Sequence, residues 1–243
     1  MREYLKDLAI YYSGNHTKIE HALEKAVCVP NQPCSSEYLT LYDHDYPDKL
    51  RCLQSPPFVL FYKGNLSLLK QPSISVVGSR VPSSYGQTMS ACLVDRLKRR
   101  YVVVSGLARG IDGIAHQSAL DGLGTIGVLG SGINRCYPKE NMKLYRTMCE
   151  KHLVISEYPE MTAPNAWHFP IRNRIIAALG DSLWVMSASV RSGTMLSVNE
   201  ALILDRPIYC LPYPITDKSG EGCNRCIQDG AMILTNMNDL DMI

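Results

Sequence analysis

Four short stretches combine glycine with a hydroxyl or an arginine: Gly78-Ser79-Arg80, Ser105-Gly106-Leu107-Ala108-Arg109-Gly110-Ile111-Asp112, Gly130-Ser131-Gly132 and Ser192-Gly193-Thr194. Glycine lets backbone approach a ligand closely, hydroxyls add donors, and arginine adds a fixed positive charge. That chemistry is anion binding, with phosphate as the natural ligand for the unpartnered N–H groups at a helix start. One glycine after a strand often only permits the turn. Four such turns are more than tight turning needs. None fits Gly-x-Gly-x-x-Gly and none fits the Walker pattern, so neither a tightly held dinucleotide nor a nucleoside triphosphate is indicated.

The richest polar run is His168-Phe169-Pro170-Ile171-Arg172-Asn173-Arg174. Pro170 suits a helix start, which puts two arginines in the first turn, where cations are unfavourable unless an anion joins them. Phe169 and Trp167 either stack a base, as aromatics do beside cations in single-strand binders, or plug the core. Asp112 and His116 share a helix face at i and i+4. They fit a carboxylate orienting an imidazole for acid–base work, but no nucleophile is evident beside them, which favours a capping Asp and a hydrogen-bonded structural histidine. Cys223 and Cys226 lack a second Cys or His pair at usable spacing, so no metal is expected. Lys98-Arg99-Arg100 closes a helix, where positive charge suits the dipole and a solvated face is the simplest reading.

These residues need strands and helices to hold them. Short β-branched runs at Ile74–Val77, Tyr101–Val104 and Thr125–Leu129 alternate with helical periodicity over Tyr85–Arg100, Gly110–Asp121 and Asn141–Glu150. The second half continues with strands at Leu153–Ser156, Ser182–Met186 and Pro207–Leu211 and helices at Arg172–Leu179 and Gly193–Leu204, then a short helix near Cys226 and a strand near Met232–Leu234. Such alternation predicts βαβ units and an α/β fold with a doubly wound, mostly parallel sheet. Ligands of such sheets bind beyond the carboxyl ends of the strands. Upstream, Phe58–Tyr62 reads as a further strand, and residues 1–38 as a short helical segment too small to fold alone, preceding a main domain at 39–243.

The chain has 243 residues, 46% of them hydrophobic and 20% charged, enough for one large α/β domain and unlike a disordered protein. A formal charge of +2 neither demands a nucleic-acid partner nor excludes a locally basic groove. Nine cysteines without a regular frame, no signal peptide and no apolar run of membrane-spanning length point to a cytoplasmic protein with reduced thiols and no membrane association.

Taken together and in order, Val77-Gly78-Ser79-Arg80, Ser105 to Asp112, Ala115-His116 with Ala119-Leu120, Tyr137-Pro138, Ser156-Glu157, Phe169-Pro170 with Arg172-Asn173-Arg174-Ile175-Ile176, Ser192-Gly193 and Gly230-Ala231 resemble the DNA-processing protein A family, also called Smf, of bacterial natural transformation. The resemblance runs from about Tyr46 to Ala231. It implies an extended Rossmann-like domain that binds single-stranded DNA, forms a homodimer and partners the RecA recombinase, which the family helps load onto incoming strands. Carried over by motif, Arg80 and Arg109 neutralise phosphates, and Gly78, Ser79, Ser105 and Gly106 offer backbone and hydroxyl donors. Arg172, Asn173 and Arg174 line the same pocket with Gly110, Ser192 and Gly193, and Phe169 stacks. Arg109 either faces the phosphate or braces its turn from outside.

Departures from the family pattern occur at Ser187, where Glu is common, and at Pro212-Tyr213, where Pro-Gly is usual; the N-terminal helical module is short, and no winged-helix module follows Ile243. The alternative is an enzyme resembling the nucleoside-monophosphate phosphoribohydrolases. Their Pro-Gly-Gly-x-Gly-Thr-x-x-Glu turn is here Arg191-Ser192-Gly193-Thr194-Met195-Leu196-Ser197, and Glu200 falls too late, so a non-enzymatic protein without cofactor is expected. Ala201-Leu202-Ile203-Leu204 is either part of the dimer surface or part of the core.

Overall fold

Every β-branched run of the alternating region becomes a strand of one nine-stranded sheet. The structure, a computed structural model, describes residues 1–241. Helices α1 (Arg2–Tyr11) and α2 (His16–Glu24) precede β1 (Glu37–Thr40), the one-turn α3 (Asp48–Arg51) and β2 (Val59–Gly64). Alternation then runs through β3 (Ser73–Gly78), α4 (Ser84–Leu97), β4 (Val102–Ser105), α5 (Ile111–Ala119), β5 (Thr125–Leu129), α6 (Met142–Lys151) and β6 (Leu153–Ser156). It continues with α7 (His168–Leu179), β7 (Leu183–Ser187), α8 (Thr194–Ile203), β8 (Ile208–Cys210), α9 (Glu221–Gln228) and β9 (Met232–Ile233).

The strand order is β1-β2-β6-β5-β4-β3-β7-β8-β9. From β6 to β9 every neighbour is parallel, whereas β1–β2 and β2–β6 are antiparallel. From β3 the chain winds outward through β4, β5 and β6, then returns to lay β7 on the other side of β3. The fold is therefore the doubly wound, Rossmann-like α/β sheet expected, with its topological switch point between β3 and β7. A crevice opens there because the connections leaving the two strands diverge.

Three elements differ from the sequence expectation, the one-turn α3 being an unexpected addition before β2. β1 is an added edge strand, recruited by pairing with β2. Helix α7 starts four residues before Arg172, because Pro170 falls in the first turn, where its missing N–H has no intrahelical partner to lose. That shift puts Phe169 inside the helix start.

The N-terminal helices are not detached. Leu5, Leu8, Ala9, Ile19 and Ala22 bury against Val59, Phe61, Met148 and Val154 in one apolar cluster. The linker that follows is pinned by Glu160, whose Oε1 accepts from the Ser35 and Ser36 backbone N–H groups (2.7 and 2.8 Å) and from Ser35 Oγ (2.7 Å). Among the described residues no helix is long and apolar enough to cross a membrane.

Candidate nucleic-acid interface

An open cavity of about 450 Å³ lies at the switch point. The end of β3 contributes Gly78, Ser79 and Arg80, the β4–α5 turn Ala108 and Asp112, and α7 Phe169 and Asn173. The loop after β7 adds Ser192 and Gly193, and the first turn of α8 adds Thr194 and Ser197, which sets a helix N-terminus in the cavity wall.

The β3 and β4 turns are tied directly. Ser79 donates its N–H to Ser187 O (2.8 Å) and accepts from Ile111 N on its carbonyl (3.1 Å). Its hydroxyl accepts from Val81 N (3.1 Å) and retains its own proton to donate. The Ser79 backbone is thus spent on the scaffold, and only its hydroxyl remains for a ligand. Gly110, before α5, has φ +71°, and a Cβ there would meet Ser79 O at 2.3 Å. This position needs glycine both for its backbone conformation and for the close approach.

Arg80 is exposed, forms no hydrogen bond or ion pair among the described residues, and holds its guanidinium 5.5 Å from the centre of the Phe169 ring. Phe169 is half-buried, with the Tyr137 ring 5.7 Å away. It is seated by Gly130, where a Cβ would strike its ring at 2.8 Å. The Gly130-Ser131-Gly132 turn therefore serves to place Phe169. Trp167, 77% exposed, lies outside the cavity lining.

The other arginines are placed differently. Arg172 is buried, with Nη1 donating to Gly106 O (2.6 Å) and to Val128 O. Burial pushes its guanidinium down to about 10, Asp112 opposing the shift, and it stays cationic at neutral pH. Arg172 sews α7 to the ends of β4 and β5 and is not on the cavity wall. Arg174 points elsewhere: it makes a bidentate, buried bridge to Glu157 (2.9 and 2.7 Å) and donates Nε to Ser55 O (3.0 Å). Of the three consecutive residues expected to line one pocket, only Asn173 does; its Nδ2 donates to Gly193 O (3.4 Å).

Ser105 is fully buried and donates its hydroxyl to Val76 O (2.6 Å), which removes it as a ligand donor. A Cβ on Gly106 would meet Arg172 Nη1 at 2.5 Å and Asp112 Oδ2 at 2.6 Å, so packing against two buried charges explains this glycine. The opposite signs of Asp112 and Arg172 make their shared burial tolerable. Burial raises the Asp112 pKa, and Arg172 opposes the rise. Asp112 also accepts from Ala108 N (3.3 Å). His116 does not engage Asp112. Its Nδ1 lies 2.6 Å from Thr125 Oγ1, whose proton goes to Val103 O (2.7 Å), so Nδ1 carries the proton and donates. Burial pushes this imidazole down to about 3, which keeps it neutral and structural.

A second, smaller cavity of about 100 Å³ adjoins the first through Arg80 and Phe169 and is lined also by Gly106, Ala108, Arg109, Tyr137 and Pro138. On this rim Arg109 pairs with Glu140, their side chains 61% and 59% exposed. The turn carrying Glu140 is locked to the β4–α5 turn by Asn141, whose Nδ2 donates to Leu107 O (3.0 Å) and Ala108 O (2.9 Å). Arg109 thus faces the rim and is braced at once. Glu140 and Asn141 carry no glycine or cation signal, and Tyr137 and Glu157, though within the motifs of the family resemblance, carry nothing in the sequence that links them to Phe169 or Arg174.

Comparison with known proteins identifies relatives of the chain. The model of a family described as DNA recombination-mediator protein A matches residues 37–242. The DNA processing protein DprA of Streptococcus pneumoniae is 41% identical over 202 residues, covering 83% of this chain and 72% of that protein. The X-ray structure of DNA processing protein A from the same organism superposes with a TM-score of 0.85 at 32% identity, covering 98% of this chain and 95% of that one. A structure of DNA processing protein A from Helicobacter pylori, described for its single-stranded DNA binding mode, gives a TM-score of 0.79 at 29% identity, over 86% of this chain and 96% of that one.

Proposed function

We propose that this chain, which belongs to the DNA recombination-mediator protein A family, binds single-stranded DNA across the switch-point cavity. A backbone phosphate sits between Arg80, the Ser79 hydroxyl and the N-terminus of α8, and a base stacks on Phe169. The observation that carries the reading is Arg80: an exposed guanidinium with no hydrogen bond or ion pair among the described residues, beside an aromatic face, at the switch point of the sheet. An unneutralised cation next to a helix N-terminus is favourable only when an anion joins it. The half-exposed ring beside it suits the π-face that every base offers, so binding has little sequence preference. The single-strand binding described for the Helicobacter pylori relative supports the same ligand here.

Gly78, Asn173, Ser192 and Gly193 complete the ligand-facing wall in this proposal, with Arg109 on the rim. Ser105, Gly106, Gly110, Arg172 and Arg174 hold that wall from behind. The protein acts by binding rather than by catalysis. With the family resemblance as the support, its role is to help load the RecA recombinase onto single strands in DNA uptake and recombination, as a cytoplasmic homodimer.

Fluorescence anisotropy with labelled oligonucleotides tests the site. Phe169→Ala is expected to weaken single-strand binding by about five- to 150-fold, the loss of one stacked base, equally for several sequences. Trp167→Ala is expected to bind as the wild type does. Unchanged affinity for Phe169→Ala removes the stacking role, and a wild-type protein without preference for single strands over duplex overturns the function.

A further inference from the structure

The rim of the proposed groove carries a carboxylate where a nucleic-acid ligand brings only negative charge. Glu140 pairs with Arg109 although both side chains are more than half exposed. Exposed pairs of long side chains are weak and readily opened. This one is held in register, because Asn141, the next residue, ties its turn through two hydrogen bonds to the carbonyls of Leu107 and Ala108, immediately before Arg109. Arg109 and Arg80 line the same small cavity with Phe169 and Tyr137, so a strand seated on Phe169 passes both arginines.

We propose that Glu140 is a built-in competitor for the DNA backbone: its carboxylate occupies Arg109 in the free protein, and a phosphate of the bound strand must displace it. The inference rests on the single-strand reading above. Its chemistry is an exchange of one oxyanion for another on a single guanidinium, with no bond made or broken covalently. The exchange has a distinct electrostatic signature. A phosphate paired with Arg109 sheds its condensed cation, but the carboxylate set free gathers one from solution, so the net release of counterions at this position is close to nil. Arg109 then adds little affinity and little salt dependence, and Glu140 keeps the groove from holding its strand tightly.

The test is a salt titration of single-strand binding by four proteins: wild type, Glu140→Gln, Arg109→Ala with Glu140→Gln, and Glu24→Gln. The last removes the same charge from the exposed end of α2, remote in the chain from the groove. Glu140→Gln frees Arg109 and removes a repulsive charge. It is expected to bind about two- to fivefold tighter near 0.1 M salt, with a log–log slope about 0.7 more negative. In the Arg109→Ala background no guanidinium is freed, and the wild-type slope is expected to return; Glu24→Gln is expected to match wild type. Wild-type binding with Glu140→Gln unchanged, or matched by Glu24→Gln, overturns the role of Glu140 alone. Absence of single-strand binding in every variant, wild type included, overturns the functional reading beneath it.

Discussion

Replacing Arg174 by alanine separates the arginines that build the interface from the one proposed to use it. The Arg174 and Glu157 side chains are only 10% and 5% exposed, and two parallel hydrogen bonds join them. The same guanidinium also donates to Ser55 O and Ile171 O. Truncation leaves the Glu157 carboxylate buried without its counter-charge, a situation that costs about 3–5 kcal/mol. For a chain of this size each kcal/mol lowers the melting temperature by about 2–4 °C, so the shift is on the order of 10 °C. Urea denaturation and thermal melts followed by circular dichroism measure it directly. Arg80→Ala, which removes an exposed side chain without protein hydrogen bonds, is expected to melt within about 0.5 kcal/mol of wild type. Replacing Arg174 and Glu157 together by apolar residues of similar size is expected to restore most of the loss, because the unpaired charge is what is costly. A melting temperature for Arg174→Ala equal to that of wild type refutes the assignment of this arginine to the scaffold.

Other consequences concern pH and assembly. His116 is held neutral, its folded-state pKa pushed from 6.5 to about 3. Its contribution to stability is therefore whole above pH 6.5 and is lost as pH falls toward 3, because only the unfolded chain takes up the proton. His116→Gln is expected to reduce the fall of unfolding free energy by up to about 1.4 kcal/mol per pH unit in that window, read from urea curves at pH 7, 6 and 5. An unchanged slope contradicts the buried placement. At the end of α8, Leu202 and Ile203 are 63% and 75% exposed. If these residues form the proposed dimer contact, Leu202→Glu halves the mass seen by light scattering and leaves the circular dichroism spectrum intact; an unchanged mass moves the contact elsewhere.

The positions of the turns were legible in the sequence and the directions of their side chains were not. Strand runs followed by Gly78, Gly106 and Gly193 place three glycine turns at the carboxyl ends of parallel strands, which brings them to one end of the sheet. Arg172, Asn173 and Arg174 look like one polar cluster in the sequence. On a helix, consecutive residues project about 100° apart, so the three face the β4–β5 ends, the cavity and Glu157 respectively. Ser105 looks like a free hydroxyl donor, but as the last residue of a strand buried on both faces it turns its hydroxyl to the neighbouring strand's carbonyl. Glu140 and Arg109 are 31 positions apart, and no local pattern joins them. What patterning cannot supply is the long-range partner, and here such partners decide which arginine remains available.

The salt dependence of single-strand binding by Arg80→Ala against wild type tests the central assignment most directly. If Arg80 neutralises a backbone phosphate, the variant binds all sequences more weakly and its log–log slope is flatter by about 0.7, one phosphate contact fewer. Equal slope and equal affinity contradict the placement of the strand at the switch-point cavity.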